Sequence, residues 1–232
     1  MVNSSNEPTS LGRDRTNLRR IWTLCGLLLI CGWPFLPMGQ SSSLADVHND
    51  LLVILIEWIV TVLLAFIVFF LLKRAPGFFG LRVFRLRDLL AMFALFVATY
   101  LVMGVVTQFV SPQTSMLDLQ RIAAVPFSMR LGLVFTAGIC EEFMYRGFAL
   151  EELADWTGSV RFGAFLSWLV FVAAHLGRYG FTSGLLIPAI AGGALTLFYL
   201  WRRNLPACMF MHALFDGVTI FLLPALLRAH GR

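Results

Sequence analysis

Four residues whose side chains could do chemistry stand in otherwise apolar stretches of this chain: Glu141, His175, His212 and Asp216. A buried carboxylate beside a histidine can act as a general base toward a trapped water molecule. Two histidines and a carboxylate with an open position can alternatively hold a catalytic zinc ion. Either arrangement predicts hydrolysis of an amide bond, with the second histidine and Asp216 placed to support the oxyanion of the tetrahedral intermediate.

Two further charged residues, Glu142 and Arg146, are expected to support this set. They are four positions apart, the spacing of an ion pair on one helical face, so Glu142 is predicted to neutralise Arg146. Glu141 then points about 100° away and is free for chemistry, with Tyr145 one turn beyond it on a similar face. We expect the Glu142 and Arg146 pair to matter for folding more than for turnover.

The composition predicts a membrane protein. Of the 232 residues, 59% are apolar and 13% are charged, which leaves too little polar surface for a water-soluble domain of this length. The four cysteines fit neither a disulfide framework nor a metal-binding spacing. We therefore predict an all-α polytopic transmembrane helical bundle of about seven spans, each of roughly 20 residues.

The apolar runs give the boundaries of these spans. They are residues 21–37, 51–72, 89–110, 131–150, 162–176, 181–201 and 205–227. Residues 1–120 are expected to hold the first three spans behind a basic N-terminus, and residues 121–232 the catalytic core of spans four to seven. The first run could instead be a secretory signal cleaved near Ser43-Leu44-Ala45, but it is longer than the apolar segments of such signals.

The positive charges lie in short clusters between the apolar runs. With a cytoplasmic N-terminus, twelve Lys and Arg residues fall on the inner side and five on the outer side. This excess predicts an N-terminus in the cytoplasm and an integral protein of the plasma (inner) membrane. The net charge of +5 is thereby explained by membrane orientation, and no nucleic-acid partner is expected.

The buried ionisable residues share a predicted depth. At a rise of about 1.5 Å per residue, they lie about 15 Å (Glu141), 21 Å (His175), 14 Å (His212) and 20 Å (Asp216) from the inner face. Each such group costs about 2.5–3.5 kcal/mol at the bilayer centre, so each needs a partner or a purpose. Structural residues scattered over three helices would not be expected to share one depth. We therefore predict that these four residues form a common site.

Three short motifs in this region resemble those of a known protease family. Residues 141–146 (EEFMYR), 171–175 (FVAAH) and 212–216 (HALFD) are similar, in order, to the motifs EExxxR, FxxxH and His-xxx-Asn/Asp of the CPBP family. This family comprises CAAX proteases and bacteriocin-processing enzymes and is also called Abi. The resemblance covers roughly residues 125–227.

The resemblance implies a helical intramembrane endopeptidase that cleaves near a terminus or membrane-proximal segment of a membrane-associated protein. By that resemblance Glu141 and His175 would activate water, while His212 and Asp216 would stabilise the oxyanion or complete a metal site. The eukaryotic relative has Asn where this chain has Asp216. Because an ionised Asp cannot donate a hydrogen bond, a ligand or His-orienting role gains weight at this position.

Several alternatives stay open at this stage. A proton-coupled transporter could use Glu57, Glu141, His175, His212 and Asp216 as a relay, although the sequence has no internal repeat. An inert scaffold or immunity protein would carry the same residues as a vestige. Glu57 by itself belongs to no motif and is expected to be structural or to face a lumen. Zinc, bound through the four site residues, is the one cofactor considered, and we expect the site to run without it. The sequence does not identify the substrate.

Overall fold

A computed structural model describes residues 10–35, 47–109, 124–222 and 225, and these residues are helical with short connections and no strand. The predicted all-α bundle is confirmed. The α-helices are α1 (Ser10–Gly32), α2 (Val47–Phe66), α3 (Leu86–Val106), α4 (Phe127–Thr136), α5 (Glu151–Thr157), α6 (Val160–Ala174), α7 (Leu176–Tyr179), α8 (Leu186–Arg202) and α9 (Leu205–Gly217). Single 3₁₀ turns are formed by Trp33–Phe35, Pro76–Phe79, Thr107–Phe109 and Ser183–Leu185. Segments of π-helix are formed by Ile67–Leu71, Ala137–Glu141, Phe143–Leu150 and Val218–Leu222.

Six helical stretches in the described part of the chain are long and apolar enough to cross a membrane. They are Asn17–Phe35, His48–Leu71, Leu86–Val106, Val160–Tyr179, Ser183–Arg202 and Leu205–Leu222, and each overlaps a predicted span. The predicted fourth span lies in a continuous helical stretch, residues 127–157, that carries Glu141, Glu142 and Arg146 near its middle. Its charged residues distinguish it from the other six stretches, and they belong to the candidate site.

The helix that holds the predicted fourth span extends past the predicted span end at Leu150 to Thr157. The acidic trio Glu151, Glu152 and Asp155 in this extension is paired with arginines of neighbouring segments. The predicted ends at residues 37, 110 and 227, and the segment Ser43-Leu44-Ala45, lie outside the described residues.

The fourth span lies at the centre of the bundle. Residues 142–154 are all buried, which places them against neighbours on every side. The π-helical segment Phe143–Leu150 contacts α1, α2, α6 and α9, and Ala137–Glu141 packs on α9. By contrast, α2 and α3 expose large apolar side chains such as Ile59, Val62, Leu90 and Leu101, as expected for a surface that faces lipid.

Ion pairs tie the spans together at one end of the bundle. Arg74 Nε donates to Glu152 Oε1 at 2.8 Å, and its Nη2 donates to Asp155 Oδ2 at 2.8 Å. Arg19 also pairs with Asp155, and Arg203 Nη1 lies 2.6 Å from Glu151 Oε1. These contacts bring together residues from the first, second, fourth and sixth spans that the charge pattern assigned to one side of the membrane.

A second polar cluster joins the start of α3 to the junction of α8 and α9. Asp88 Oδ1 accepts from Arg202 Nε at 2.8 Å, and Asp88 Oδ2 accepts from Asn204 Nδ2 at 3.1 Å. Asn204 also begins α9, since its Oδ1 accepts from the backbone N–H of Ala207. Gly80 packs beneath this junction with φ +67°, and a Cβ there would lie 3.0 Å from the Arg203 carbonyl oxygen, so glycine fits both the conformation and the space.

Replacing Asp88 with Asn is predicted to destabilise the bundle. The variant keeps the shape but loses the charge that Arg202 and Asn204 bind, and hydrogen bonds to a charged group contribute about 1.5–3 kcal/mol each. Thermal unfolding in detergent should show a lower midpoint for Asp88→Asn. The matched control is Arg87→Gln at the neighbouring exposed position, which should unfold as the wild type does; equal midpoints for both variants would contradict the role of Asp88.

Candidate active site

The fourth span changes its winding where the candidate residues lie. Ala137–Glu141 and Phe143–Leu150 are π-helical, so the backbone pairs i with i+5 rather than i with i+4. Segments of π-helix are rare and are frequent at functional sites. The four-residue spacing of Glu142 and Arg146 still brings them together, and Arg146 Nη1 donates to Glu142 Oε1 at 2.8 Å. The predicted ion pair is therefore present.

Glu142 does more than neutralise Arg146. The same oxygen, Oε1, lies 2.7 Å from Nδ1 of His212 in α9. An ionised carboxylate can only accept, so His212 carries its proton on Nδ1 and donates it to Glu142. Glu142 thus orients the imidazole. Local sequence spacing carries no signal for this contact, because it joins residues 70 positions apart.

Arg146 is held on three sides. Its Nη2 donates to the Gly192 carbonyl oxygen at 2.7 Å and to Thr196 Oγ1 at 3.4 Å, both in α8. Its guanidinium carbon lies 4.5 Å from the centroid of the Phe171 ring. A Cβ on Gly192 would come within 2.6 Å of the Phe171 ring, so this close approach of α8 requires glycine.

The other nitrogen of His212 faces two carboxylates. Nε2 lies 3.9 Å from Glu141 Oε2 and 3.7 Å from Asp216 Oδ2. These separations exceed direct hydrogen bonds, and gaps of this size between polar groups are ones that a water molecule can bridge. Glu141 Oε2 makes no hydrogen bond to any described residue. The structure therefore brings Glu141, His212 and Asp216 together, as the shared depth predicted.

His175 lies next to this group but does not contact it directly. It ends α6, and its Nδ1 lies 2.8 Å from the carbonyl oxygen of Phe171. A carbonyl only accepts, so Nδ1 carries the proton, which leaves Nε2 as the acceptor of the neutral ring. The Phe171 ring separates the two imidazoles, with its centroid 4.7 Å from His175 and 6.2 Å from His212.

The exposed fraction of the site side chains falls from Asp216 to Glu142. The side chains of Asp216, Glu141, His212 and Glu142 are 31%, 13%, 8% and 0% exposed. Asp216 is therefore the most accessible of the four side chains, whereas the Glu142 and Arg146 pair is buried. Low local polarity strengthens this ion pair.

Glu57, left without a role by the sequence motifs, is placed beside the site. It is buried in α2, and its carboxylate interacts electrostatically with those of Glu141 and Asp216 and with His212. The helix face that carries it is fixed by Trp58, whose Nε1 donates to Thr136 Oγ1 at 3.0 Å. The sequence signal that singles out Glu57 is an acid standing alone in an apolar span. That Glu57 is structural or faces a lumen stays a prediction.

The geometry does not form a metal centre. Within residues 10–35, 47–109 and 124–222, no three His, Cys, Asp or Glu side chains are grouped closely enough to hold a metal ion. His175, one of the four predicted ligands, has no nitrogen within 4.0 Å of a described carboxylate. The described side chains therefore do not fit a bound zinc ion.

Comparison with protein families identifies the segment that holds this site. Residues 123–218 match the family described as Rce1-like, type II CAAX prenyl endopeptidases. This segment belongs to the CAAX protease family. The match contains all three motifs, and it confirms the resemblance expected from them. Comparisons with curated proteins and with solved structures give no match. Together with its apolar helices, the CAAX protease segment makes the chain an integral membrane protein.

Replacing Glu142 with Gln is predicted to destabilise the protein strongly. The change leaves Arg146 as a buried charge without a counter-ion, a loss that costs about 3–5 kcal/mol. The double variant Glu142→Gln with Arg146→Met removes both charges and should recover part of this loss. Glu141→Gln is the matched control, because Glu141 has no arginine partner among the described residues. Thermal unfolding in detergent measures all three; a double variant less stable than Glu142→Gln would contradict this account.

Proposed function

We propose that this protein is an intramembrane endopeptidase that hydrolyses a peptide bond of a membrane-associated protein, using water activated by Glu141 and His175. The observation that carries the proposal is the convergence of the Glu141 and Asp216 carboxylates on His212 Nε2, beside a buried ion pair. The family match supports a protease of the CAAX type. The choice of residues and their roles is the proposal.

Water activation would begin at Glu141. Its Oε2 is buried without a hydrogen-bond partner in the described structure, so it can accept a proton from water. The neutral His175 ring presents Nε2 as a second acceptor that can hold the same water molecule. The water oxygen attacks the carbonyl carbon, Glu141 takes the proton and later gives it to the leaving amine nitrogen, and the C–N bond breaks.

His212 would stabilise the negative charge that develops on the carbonyl oxygen. Its Nδ1–H is occupied by Glu142, so Nε2 is the atom that faces the reaction space when it carries a proton. Asp216 lies 3.7 Å from this nitrogen and accepts rather than donates, so it would orient His212 and keep a proton on Nε2. This role follows from the Asp that stands in place of the relative's Asn.

The substrate is proposed to be a protein held at the membrane, because CAAX proteases act on such substrates. We further propose that the N-terminus lies in the cytoplasm. Arg19, Arg74 and Arg203 meet the acidic trio at one end of the bundle, as the charge pattern requires if that end is cytoplasmic. No feature of the described residues favours the transporter or scaffold alternatives.

The first test replaces Glu141 with Gln, which keeps the shape and removes the base. Cleavage should fall by at least about 10²-fold, the typical contribution of a general base. Two substrates are used: a farnesylated peptide ending in Cys-aliphatic-aliphatic-X, chosen for the family description, and native membrane vesicles in which new protein termini are identified by mass spectrometry. Glu151→Gln is the matched control, since Glu151 pairs with Arg203 outside the site, and it should cleave normally per folded molecule. Undiminished cleavage by Glu141→Gln would reject the proposal.

The second test concerns zinc. Because the described side chains do not group around a metal ion, cleavage is expected to continue at the same rate after treatment with 1,10-phenanthroline and dialysis. The control is the same treatment followed by added zinc, which should change nothing. A rate that disappears with the chelator and returns with zinc would show a metalloprotease and would contradict this expectation.

A further inference from the structure

The hydroxyl group of Tyr145 has no use in the mechanism above, although it lies at the site. Tyr145 is 1% exposed, and its hydroxyl makes no hydrogen bond to any residue that the structure describes. A buried hydroxyl without a partner is costly and uncommon, because most buried polar groups are hydrogen-bonded. Such a group indicates a partner that arrives with the substrate.

The Tyr145 hydroxyl lies within electrostatic range of Glu141. The two residues are one helical turn apart in the fourth span, and the Tyr145 hydroxyl interacts electrostatically with the carboxylates of Glu141 and Glu57. The Trp33 indole N–H of the first span lies near the Tyr145 oxygen without meeting hydrogen-bond geometry, and because an indole N–H can only donate, the phenolic O–H stays available as a donor. Tyr145 is therefore a polar neighbour of the base.

The tyrosine ring is held firmly. It packs edge-on against Phe171 with ring centroids 5.2 Å apart and an angle of 89° between the planes. The backbone carbonyl of Tyr145 accepts a hydrogen bond from Ser167 Oγ at 2.5 Å. Because these contacts fix the ring without using the hydroxyl, the O–H is positioned in advance, which is the condition for effective stabilisation of a developing charge.

The proposed site also lacks a second hydrogen-bond donor for the oxyanion. Asp216 accepts hydrogen bonds, so the oxyanion would have only His212 Nε2–H among the residues assigned above. Oxyanion sites ordinarily present more than one donor to the charged oxygen. A phenolic O–H without a partner, one turn from the base, is a suitable second donor.

We propose that the Tyr145 hydroxyl is a further catalytic group, which donates a hydrogen bond to the carbonyl oxygen of the scissile peptide as the tetrahedral intermediate forms. This inference rests on the proposed protease function. Tyr145 keeps its proton throughout. The water oxygen bonds to the carbonyl carbon, Glu141 takes the water proton, and the carbonyl oxygen becomes the oxyanion that Tyr145 binds. The carbonyl then reforms as the C–N bond breaks, and the amine leaves with the proton from Glu141.

The test is Tyr145→Phe, which removes the hydroxyl and keeps the ring against Phe171. We expect kcat to fall by about 10²-fold, the usual effect of losing one oxyanion donor, with KM little changed. Thermal stability should be equal to or above that of the wild type, since no described hydrogen bond is lost. Rates are measured on the farnesylated peptide and on membrane vesicle proteins.

Tyr199→Phe provides the matched control. It removes the same hydroxyl from another buried tyrosine, one that donates to Glu151 at 2.6 Å and lies outside the site. This variant should lose stability and keep kcat per folded molecule. The two variants are therefore expected to show opposite patterns. Tyr145→Phe should lose kcat and keep its stability, and Tyr199→Phe should lose stability and keep its kcat.

A phosphinate version of the farnesylated peptide separates a direct role from an indirect one. The phosphinate is tetrahedral and anionic at the scissile position, so it mimics the intermediate that Tyr145 would bind. Its inhibition constant should rise for Tyr145→Phe by about the same 10²-fold factor as the loss of kcat/KM. A hydroxyl that merely positioned Glu141 would leave phosphinate binding unchanged, and that result would overturn the proposal.

The cleavage assays distinguish a failure of the protease function from a failure of the role of Tyr145. If neither the peptide nor any vesicle protein is cleaved in a Glu141-dependent way, the protease function fails and this inference fails with it. If cleavage depends on Glu141 but Tyr145→Phe turns over at the wild-type rate, only the role of Tyr145 is rejected. A fall in kcat together with weaker phosphinate binding, in a stable variant, supports it.

Discussion

A single oxygen atom, Oε1 of Glu142, organises the candidate site. It accepts hydrogen bonds from Arg146 Nη1 and His212 Nδ1 at once, at 2.8 and 2.7 Å, in a fully buried position. An unpaired charge is costly in an apolar bundle, so each of the three groups needs the others. Arg146 extends the network to the Gly192 carbonyl, and three spans are thereby fixed relative to one another. The orientation of His212 is thus a consequence of charge neutralisation.

The amino-acid sequence allowed the spans and the motif residues to be predicted because both signals are local. Apolar runs have the length of a bilayer crossing, and residues four apart share a helical face, so the ion pair of Glu142 and Arg146 could be predicted. The predicted depths brought Glu141, His212 and Asp216 to one level, and the structure places the carboxylates of Glu141 and Asp216 within 4 Å of His212 Nε2. Family membership was recognisable from the same local spacings.

Other features of the site depend on information that spacing does not contain. The contact of Glu142 with His212 depends on how two helices are rotated about their axes, which hydropathy does not fix. The π-helical winding of Ala137–Glu141 has no distinguishing composition. Gly192 could be recognised as small, but only the packed structure reveals that Phe171 occupies the space of its missing side chain. His175 shares the predicted depth yet is separated from His212 by the Phe171 ring.

Hydrolysis inside a membrane requires polar groups that hold water beside packing that excludes it, and the site divides these tasks between its two sides. Arg146, Phe171 and Gly192 close one side, where low polarity strengthens the ion pair that orients His212. On the other side, the polar groups of Glu57, Glu141 and Tyr145 lie within electrostatic range of one another. Glu57 comes from the second span, outside the segment that matches the CAAX protease family. The N-terminal spans therefore contribute to the electrostatic environment of Glu141 through a residue that the family motifs do not include.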